Sequence, residues 1–331
     1  MFKSGLMLGG FAWLLMVGQP AFAADTGKEP GATAAPAHHE QAPGFFRLRL
    51  GDFEITSLSD GGGAFQEGWL VGEPAAIHPA GDGAGLSSHS LDATDSGFLV
   101  NTGEHLILID AGTGGWWGGA SFGRLGKNLE RAGYKPEQVD IVLLTHLHSD
   151  HIGGLTTRSG KRIFPNAEVY VAKADNDFWL SPEIAAKAPK EAQEFFLTAQ
   201  AVAAPYVKAG KWHTFEGVID IAHGVRSHPL PGHTPGHTGY DFTSQGQQLL
   251  LWGDILHSPN VQFQHPEVTV VFDVDPTTAA TERAQLMSSL AGKDVLVGGP
   301  HLAFPSLGRL RKAGTGYVWE PAAYSENWVQ R

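Results

Sequence analysis

Apolar positions along the chain fall into short blocks punctuated by Gly, Pro and Asp, which is the pattern of strands and turns. Residues 45–50 and 53–58 flank Gly51-Asp52 and predict a hairpin. Residues 61–97 are Gly-rich and irregular and predict a long loop, often a functional feature inside a compact domain. The next strand pair is predicted over 97–101 and 105–110, turned at Thr102-Gly103 and ending at Asp110-Ala111-Gly112. Phe122, Leu125 and Leu129 recur at helical spacing, with Gly133 as the stop. A buried-type strand over 139–144 runs straight into Thr145-His146, and another is predicted over 168–172. A polar and aromatic stretch over about 174–208 reads as helical. Segments 219–222, 226–230, 239–242 and 249–252 predict a second series of strands. A helix at 277–290 and a last strand at 295–298 lead to His301. Strands and a helix, twice over, predict an α/β fold of two sheets packed together with helices outside.

Composition narrows the function classes. The 331 residues can bury a sizeable core, and 42% hydrophobic with 17% charged content is that of an ordinary globular protein. The formal net charge is −11, and no basic run is interleaved with aromatics, so nucleic acid is not an expected partner. Residues 1–23 read as a secretory signal: Lys3, an apolar stretch over 6–17, then Ala21-Phe22-Ala23 as the cleavage site. An N-terminal membrane anchor is the alternative, and the short stretch and cleavage site speak against it. The expected location is therefore periplasmic or secreted, with no membrane contact after cleavage. Residues 24–43, rich in Ala, Pro, Gly and His, read as a flexible lead-in, leaving 44–331 as the catalytic domain. The chain has no cysteine, which excludes disulfides, thiolate ligands and thiol nucleophiles. Its 16 histidines become the informative residues.

The densest cluster is Thr145-His146-Leu147-His148-Ser149-Asp150-His151-Ile152-Gly153-Gly154. Three imidazoles and a carboxylate just beyond a buried strand are costly unless something pairs them, and a metal ion is the natural partner. His146 and His148 alternate in extended backbone and can point the same way. Asp150 and His151 follow a turn and can serve a second ion. Pro231-Gly232-His233-Thr234-Pro235-Gly236-His237 presents His233 on a punctuated turn, and Leu249-Leu250-Leu251-Trp252-Gly253-Asp254 is an apolar strand ending in a carboxylate. A lone Asp after a strand is ordinarily a cap or turn residue; after the histidine cluster, and in this order, a ligand is the better reading. Gly299-Pro300-His301 again puts a histidine just past an apolar strand.

This set and order resemble the metallo-β-lactamase superfamily, whose hallmark is a His-x-His-x-Asp-His loop followed by a His, an Asp and a His. The resemblance covers nearly the whole chain beyond the signal and implies an αββα sandwich of two mixed β-sheets flanked by helices. It further implies that His146, His148 and His233 hold one metal, that Asp150, His151 and His301 hold the other, and that Asp254 bridges both. The β-lactamases themselves usually lack that bridging Asp, and several classes use Cys there. Asp254 without any Cys favours the glyoxalase II and lactonase arrangement. Ala42-Pro43-Gly44-Phe45-Phe46, Asp177-Phe178-Trp179-Leu180-Ser181 and Gly232-His233-Thr234-Pro235-Gly236-His237-Thr238 are, in addition, similar to methyl parathion hydrolase and its relatives, secreted dimeric di-metal enzymes. The implied cofactors are two divalent ions, Zn²⁺ first, with Mn, Co or Fe as alternatives, and the implied assembly is a homodimer.

Two metals ~3.5–4 Å apart can share a hydroxide and bring its pKa toward neutrality. That hydroxide is the expected nucleophile, with Asp254 as bridge and Asp150 both ligating and accepting a proton. His237 is read either as support for a ligand or as turn packing. Trp116, Trp117, Trp179, Phe195 and Phe196 are candidate aromatic walls of a substrate pocket, or core aromatics. Leu70, His257, Val270 and Phe272 stand where the methyl parathion hydrolase pattern has Arg, Leu, Thr and Leu. These departures weigh against efficient phosphotriester hydrolysis and leave lactones and aryl esters open; His257 is equally readable as a structural histidine. The expected substrates are small esters, lactones and phosphotriesters. The rivals are a glyoxalase II-like thioesterase, a di-iron redox member of the same fold and a non-catalytic binding module.

Overall fold

The computed structural model describes residues 42–77 and 92–325. The expected signal segment over 1–23 lies outside these residues, as does the lead-in apart from its last two positions, 42 and 43. Among the described residues, sixteen strands are β1 (Phe45–Leu50), β2 (Phe53–Ala64), β3 (Leu70–Val71), β4 (Asp92–Asn101), β5 (Leu106–Ile109), β6 (Ile141–Leu143), β7 (Glu168–Ala172), β8 (Trp212–Phe215), β9 (Asp220–Ala222), β10 (Val225–Pro229), β11 (Thr238–Ser244), β12 (Gln247–Leu251), β13 (Thr269–Val270), β14 (Val295–Gly298), β15 (Leu307–Ala313) and β16 (Gly316–Pro321). The α-helices are α1 (Pro74–Ile77), α2 (Leu125–Arg131), α3 (Ser149–Ile152), α4 (Lys173–Trp179), α5 (Pro182–Lys187), α6 (Lys190–Lys208), α7 (Pro259–Gln262) and α8 (Pro276–Leu290).

The strands form two seven-stranded sheets, ordered β1-β2-β4-β5-β6-β7-β8 and β16-β15-β14-β12-β11-β10-β9, plus a two-stranded ribbon of β3 and β13. Both large sheets are mixed: β5 to β8 pair in parallel, as do β12 and β14, and the remaining pairs are antiparallel. The continuous apolar runs follow from burial on both faces. In β5, Leu106 and Leu108 pack toward α2 and α6, while Ile107 and Ile109 pack between the sheets. In β12, Leu249 and Leu251 join the inter-sheet core, while Leu250 packs with Leu286, Met287 and Leu290 of α8. The result is the αββα sandwich of two mixed sheets flanked by helices.

Several expectations are corrected. The region 61–97 is not one loop: β2 runs on to Ala64 and pairs with β4 from Asp92 onward, through a register shift between Ser59 and Gly61. Glycines hid the strand because they carry no side chain to show the alternation. The stretch 174–208 is three helices, broken at the Ser181 N-cap, whose Oγ accepts from Ile184 N at 3.2 Å, and at Pro189. β8, β15 and β16 were not predicted; His213 in β8, Arg309, Arg311 and Lys312 in β15, and Glu320 and Pro321 in β16 mask the period-2 signal.

The sandwich places the chemistry at one rim. β6 delivers His146 and His148, α3 carries Asp150 and His151, the β10–β11 turn presents His233, and the ends of β12 and β14 lead to Asp254 and His301. The ends of parallel strands are where such open sheets place their sites.

Candidate metal centre

The histidine loop is held by close backbone approach. A Cβ on Gly154 would stand 2.0 Å from the Ala111 carbonyl oxygen, so only glycine fits, and Gly154 N–H donates to Gly112 O at 2.9 Å. Asp110, just past β5, accepts from Thr145 N at 2.9 Å and from Thr145 Oγ1 at 2.8 Å. Thr145 Oγ1 has thus given its proton away and accepts from His146 Nδ1 at 3.0 Å. The Nε2 of His146 therefore carries the lone pair. His233 is set the same way: its Nδ1 donates to Asp273 Oδ1 at 2.8 Å, turning Nε2 inward. His151 Nδ1 faces Asp110 Oδ2 at 2.9 Å, and His301 Nδ1 donates to the Thr94 carbonyl at 2.7 Å.

Inside this frame, nitrogens face one another without a proton for each contact. His148 Nδ1 lies 3.0 Å from both His146 Nε2 and His233 Nε2. One Nδ1 proton can satisfy only one of those lone pairs. His151 Nε2 and Asp254 Oδ1 are buried with no hydrogen-bond partner, 3.3 Å apart. Converging lone pairs and orphaned buried atoms are what a cation would pair. Donor atoms of His146, His148, His233 and Asp254 lie within 4.8 Å of one another, and so do those of Asp150, His151 and His301. Asp254 straddles the two groups. Its Oδ2 is 3.4 Å from His233 Nε2 and 3.7 Å from His146 Nε2, and its Oδ1 faces His151. A carboxylate with one oxygen toward each group is the geometry a bridge requires. The imidazole and carboxylate donors fit Zn²⁺ and neighbouring first-row ions.

The electrostatics agree. Burial holds His146 and His148 well below the ordinary histidine value and pushes His233 down to about 4, so these rings are neutral donors. Burial also opposes a charge on His151, yet Asp254, Asp150 and Asp110 raise it well above its usual value. His301, buried but facing Asp254, is pushed up to about 9. Burial opposes the Asp254 charge, but His151, His301 and His146 hold its carboxyl well below the usual range.

A cavity opens over this cluster. Its walls are Phe65, Trp69, Trp117, Phe122, Phe195, Phe272 and His257, with His148, Asp150, His233, Asp254 and His301 at its floor and no Lys or Arg among the described lining residues. Trp69 contacts both Phe272 (ring centroids 5.3 Å) and Trp117 (6.5 Å), joining two distant loops into one aromatic face. Of the candidate pocket residues, Trp117, Phe195, His257 and Phe272 line this cavity. Leu70, Trp116, Trp179, Phe196 and Val270 do not. Leu70 and Val270 pair across the β3–β13 ribbon and are buried in its own small core. Trp179 and Phe196 pack with ring centroids 4.6 Å apart and planes tilted by 45° in the helix-side core, although Trp179 also meets the His148 ring edge-on at 4.9 Å. Trp116 packs against that core and donates its indole N–H to Thr156 O at 3.2 Å.

Sequence reading missed Phe65, Trp69 and Phe122, which fall in segments read as loop or helix. It also missed Asp95, a buried carboxyl on the cavity wall whose Oδ2 has no hydrogen-bond partner. Asp273 and Asp175, which brace the histidines, carried no local signal. Asp110 did: like Asp254, it follows an apolar strand. His237 resolves as a brace, since its Nδ1 donates to Leu230 O at 2.8 Å and its Nε2 accepts from Asp254 N–H at 2.8 Å. Gly253, at φ +58°, permits that contact, because a Cβ there would stand 2.4 Å from His237 Nε2.

The profile of the Metallo-beta-lactamase superfamily matches residues 91–299, which hold every residue of both donor groups except His301. The chain belongs to the metallo-β-lactamase superfamily. Among solved structures of that superfamily, the protein is similar to hydrolase AbOPH, with a TM-score of 0.78 and 35% identity over 87% of this chain and 100% of that one. It is also similar to AidC, a dizinc quorum-quenching lactonase, with a TM-score of 0.74 and 27% identity over 86% and 99% of the two chains. The hydroxyacylglutathione hydrolase of Aeromonas salmonicida is 27% identical over 161 residues, 49% of this chain and 46% of that protein, so the chain spans about half the length of this curated relative. The donor clusters and these neighbours place it among the superfamily's metallo-hydrolases.

Proposed function

We propose that this metallo-β-lactamase superfamily member is an exported di-metal hydrolase of lactones and aryl esters, with phosphotriesters as secondary substrates. One observation carries the reading: two His/Asp donor groups sharing Asp254 form the floor of a cavity whose walls are aromatic and whose described lining has no Lys or Arg. Such a pocket favours a neutral substrate with an aryl or acyl body. A glutathione thioester carries carboxylates that this lining would leave unpaired. AidC is a lactonase of similar structure, which supports the lactone side of the proposal.

Two divalent ions in such a centre supply activated water at neutral pH and polarise the scissile carbonyl or phosphoryl oxygen. The chain's own residues do the rest. His146, His148 and His233 present neutral nitrogens toward one position, and Asp150, His151 and His301 surround the other. Asp254 would be shared between the two. Asp150, at the cavity floor and more accessible than Asp254, is placed to take a proton as the bond breaks. The aromatic wall holds the leaving group and excludes water around it.

The deciding experiment compares kcat/KM of the metal-loaded protein on a lactone, an aryl ester, a methyl phosphotriester and a glutathione thioester. Lactone and aryl ester should lead. A dominant thioester activity would overturn the proposal. Export and dimer formation belong to the same proposal, on the strength of the 1–23 segment and the resemblance to methyl parathion hydrolase. N-terminal sequencing of secreted protein and its mass in solution test them separately; an intact residue 1 or a monomer would refute the respective claim.

A further inference from the structure

His257 differs from the other histidines of the centre. His146, His151, His233 and His301 each have Nδ1 tied to an oxygen outside the cluster. His257 lies on the cavity wall, only 6% exposed, and its Nδ1 is buried with no partner. Its Nε2 is 3.1 Å from Asp254 Oδ2, the same oxygen that His301 Nε2 faces at 3.1 Å. The two rings stack, with centroids 5.1 Å apart and planes inclined by 23°.

The placement of this ring is built into the local structure. The backbone N–H groups of His257 and Ser258 both donate to Gln262 Oε1, at 2.8 and 2.9 Å. Gln262 is itself fully buried and donates its amide to Val268 O at 2.9 Å. A ring anchored by its backbone but with no outward acceptor can hold its single proton on either nitrogen. With the proton on Nδ1, the Nε2 lone pair points at a carboxylate oxygen, beside the inward nitrogen of His301. Two imidazole nitrogens and a carboxylate then converge, and the donor atoms of Asp254, His257 and His301 lie within 4.8 Å of one another, as closely as in the other two groups.

We propose that His257 is an auxiliary metal ligand, its Nε2 joining Asp254 and His301 as a third donor set that would serve the second ion in addition to Asp150, His151 and His301. This rests on reading the centre as a two-metal site. It gives His257 a role beyond that of a cavity wall, and it raises the imidazoles available to the second ion from two to three.

The test uses the full chain loaded with Co²⁺ and proton NMR. Each coordinated imidazole that keeps an N–H contributes one exchangeable, paramagnetically shifted resonance. Wild type at two equivalents should show one more such resonance than His257→Leu and than His257→Gln. The glutamine variant keeps a hydrogen-bonding group beside Asp254 but has no ring. Competition against a chelator should show the weaker Co²⁺ site loosened by about tenfold or more in both variants. Equal resonance counts in wild type and variants would overturn the auxiliary-ligand proposal alone, whereas failure of wild type to bind Co²⁺ would overturn the metal-centre reading as well. Wild type labelled with ¹⁵N-histidine and loaded with Zn²⁺ decides without any variant. Six rings with a metal-bound nitrogen support the proposal, and the five rings of the first two donor groups alone refute it.

Discussion

Asp273 accepts the Nδ1 proton of His233 at 2.8 Å, and the same carboxylate accepts Val270 N–H at 3.0 Å through its other oxygen. Buried Arg283, 3.9 Å from that carboxylate, ties α8 into the arrangement by donating to Ile255, Pro266 and Val268 carbonyls. His233 is therefore oriented by the fold before any ion arrives. Replacing Asp273 with Ala should free the ring to rotate and lower affinity at the His146–His148–His233 position by about 10- to 100-fold. Titration with Zn²⁺ against a chelating dye measures this; unchanged affinity would show that packing alone holds the ring.

Asp254 faces nitrogens of both donor groups, His233 and His146 on one side and His151 and His301 on the other. Asp254→Ala should abolish hydrolysis and leave fewer than two tightly bound ions per chain by elemental analysis. Near-normal turnover with two ions bound would falsify its role as the bridge.

Asp175 links the two ligand loops from behind. Its Oδ2 accepts Leu147 N–H at 3.1 Å and its Oδ1 accepts Gly236 N–H at 2.6 Å. Asp175→Ala leaves both buried donors unpaired, at a cost of about 1–3 kcal/mol each. Thermal unfolding of the metal-free protein should fall by several degrees, with metal affinity falling in parallel. A variant as stable as wild type would mean that water replaces the carboxylate at no cost.

Metal loading should depend on pH with a definite sign. Asp254 holds His301 protonated up to about 9 in the metal-free protein. An incoming ion must displace that proton, so affinity should rise as pH increases toward about 9 and then level off. The same raised value contributes stability to the metal-free fold that is complete below the ordinary histidine value and is lost as pH rises through about 9. Calorimetric titration in buffers of different ionisation enthalpy counts the released protons; no release at pH 7 would contradict the pairing.

His257→Leu replaces a polar ring on the cavity wall with an apolar side chain. The ratio of phosphotriester to lactone kcat/KM should rise in this variant. An unchanged ratio would remove His257 from the determinants of substrate preference.

Much of the centre could be read in the chain. Asp150, His151 and the alternating His146 and His148 stand within one six-residue loop after a buried strand, and local geometry sends them where the pattern says. His233, Asp254 and His301 were legible for a similar reason: each follows a turn or a strand end, where a polar residue has no structural need to be apolar. The cavity walls were less so. Trp117, Phe195 and Phe272 face the cavity, whereas Trp179 and Phe196 face the core, although all five are aromatics near predicted turns or helices. Leu70 and Val270 were misread because a two-stranded ribbon buries them against each other, a pairing across 200 residues that neither segment announces.

What the amino-acid order determined by itself was the kind of chemistry and the two-layered sheet that carries it. Donor identities are fixed by residue type, and strands buried on both faces show as unbroken apolar runs. Tertiary structure alone decided which oxygen of Asp254 faces which histidine, which nitrogen of each ring turns inward, and which aromatics meet solvent. Those outcomes depend on partners such as Asp273, Asp110 and Thr94, distant in sequence and brought within 3 Å only by the packing of the two sheets and their loops. A hydrogen bond needs donor and acceptor within about 3.2 Å.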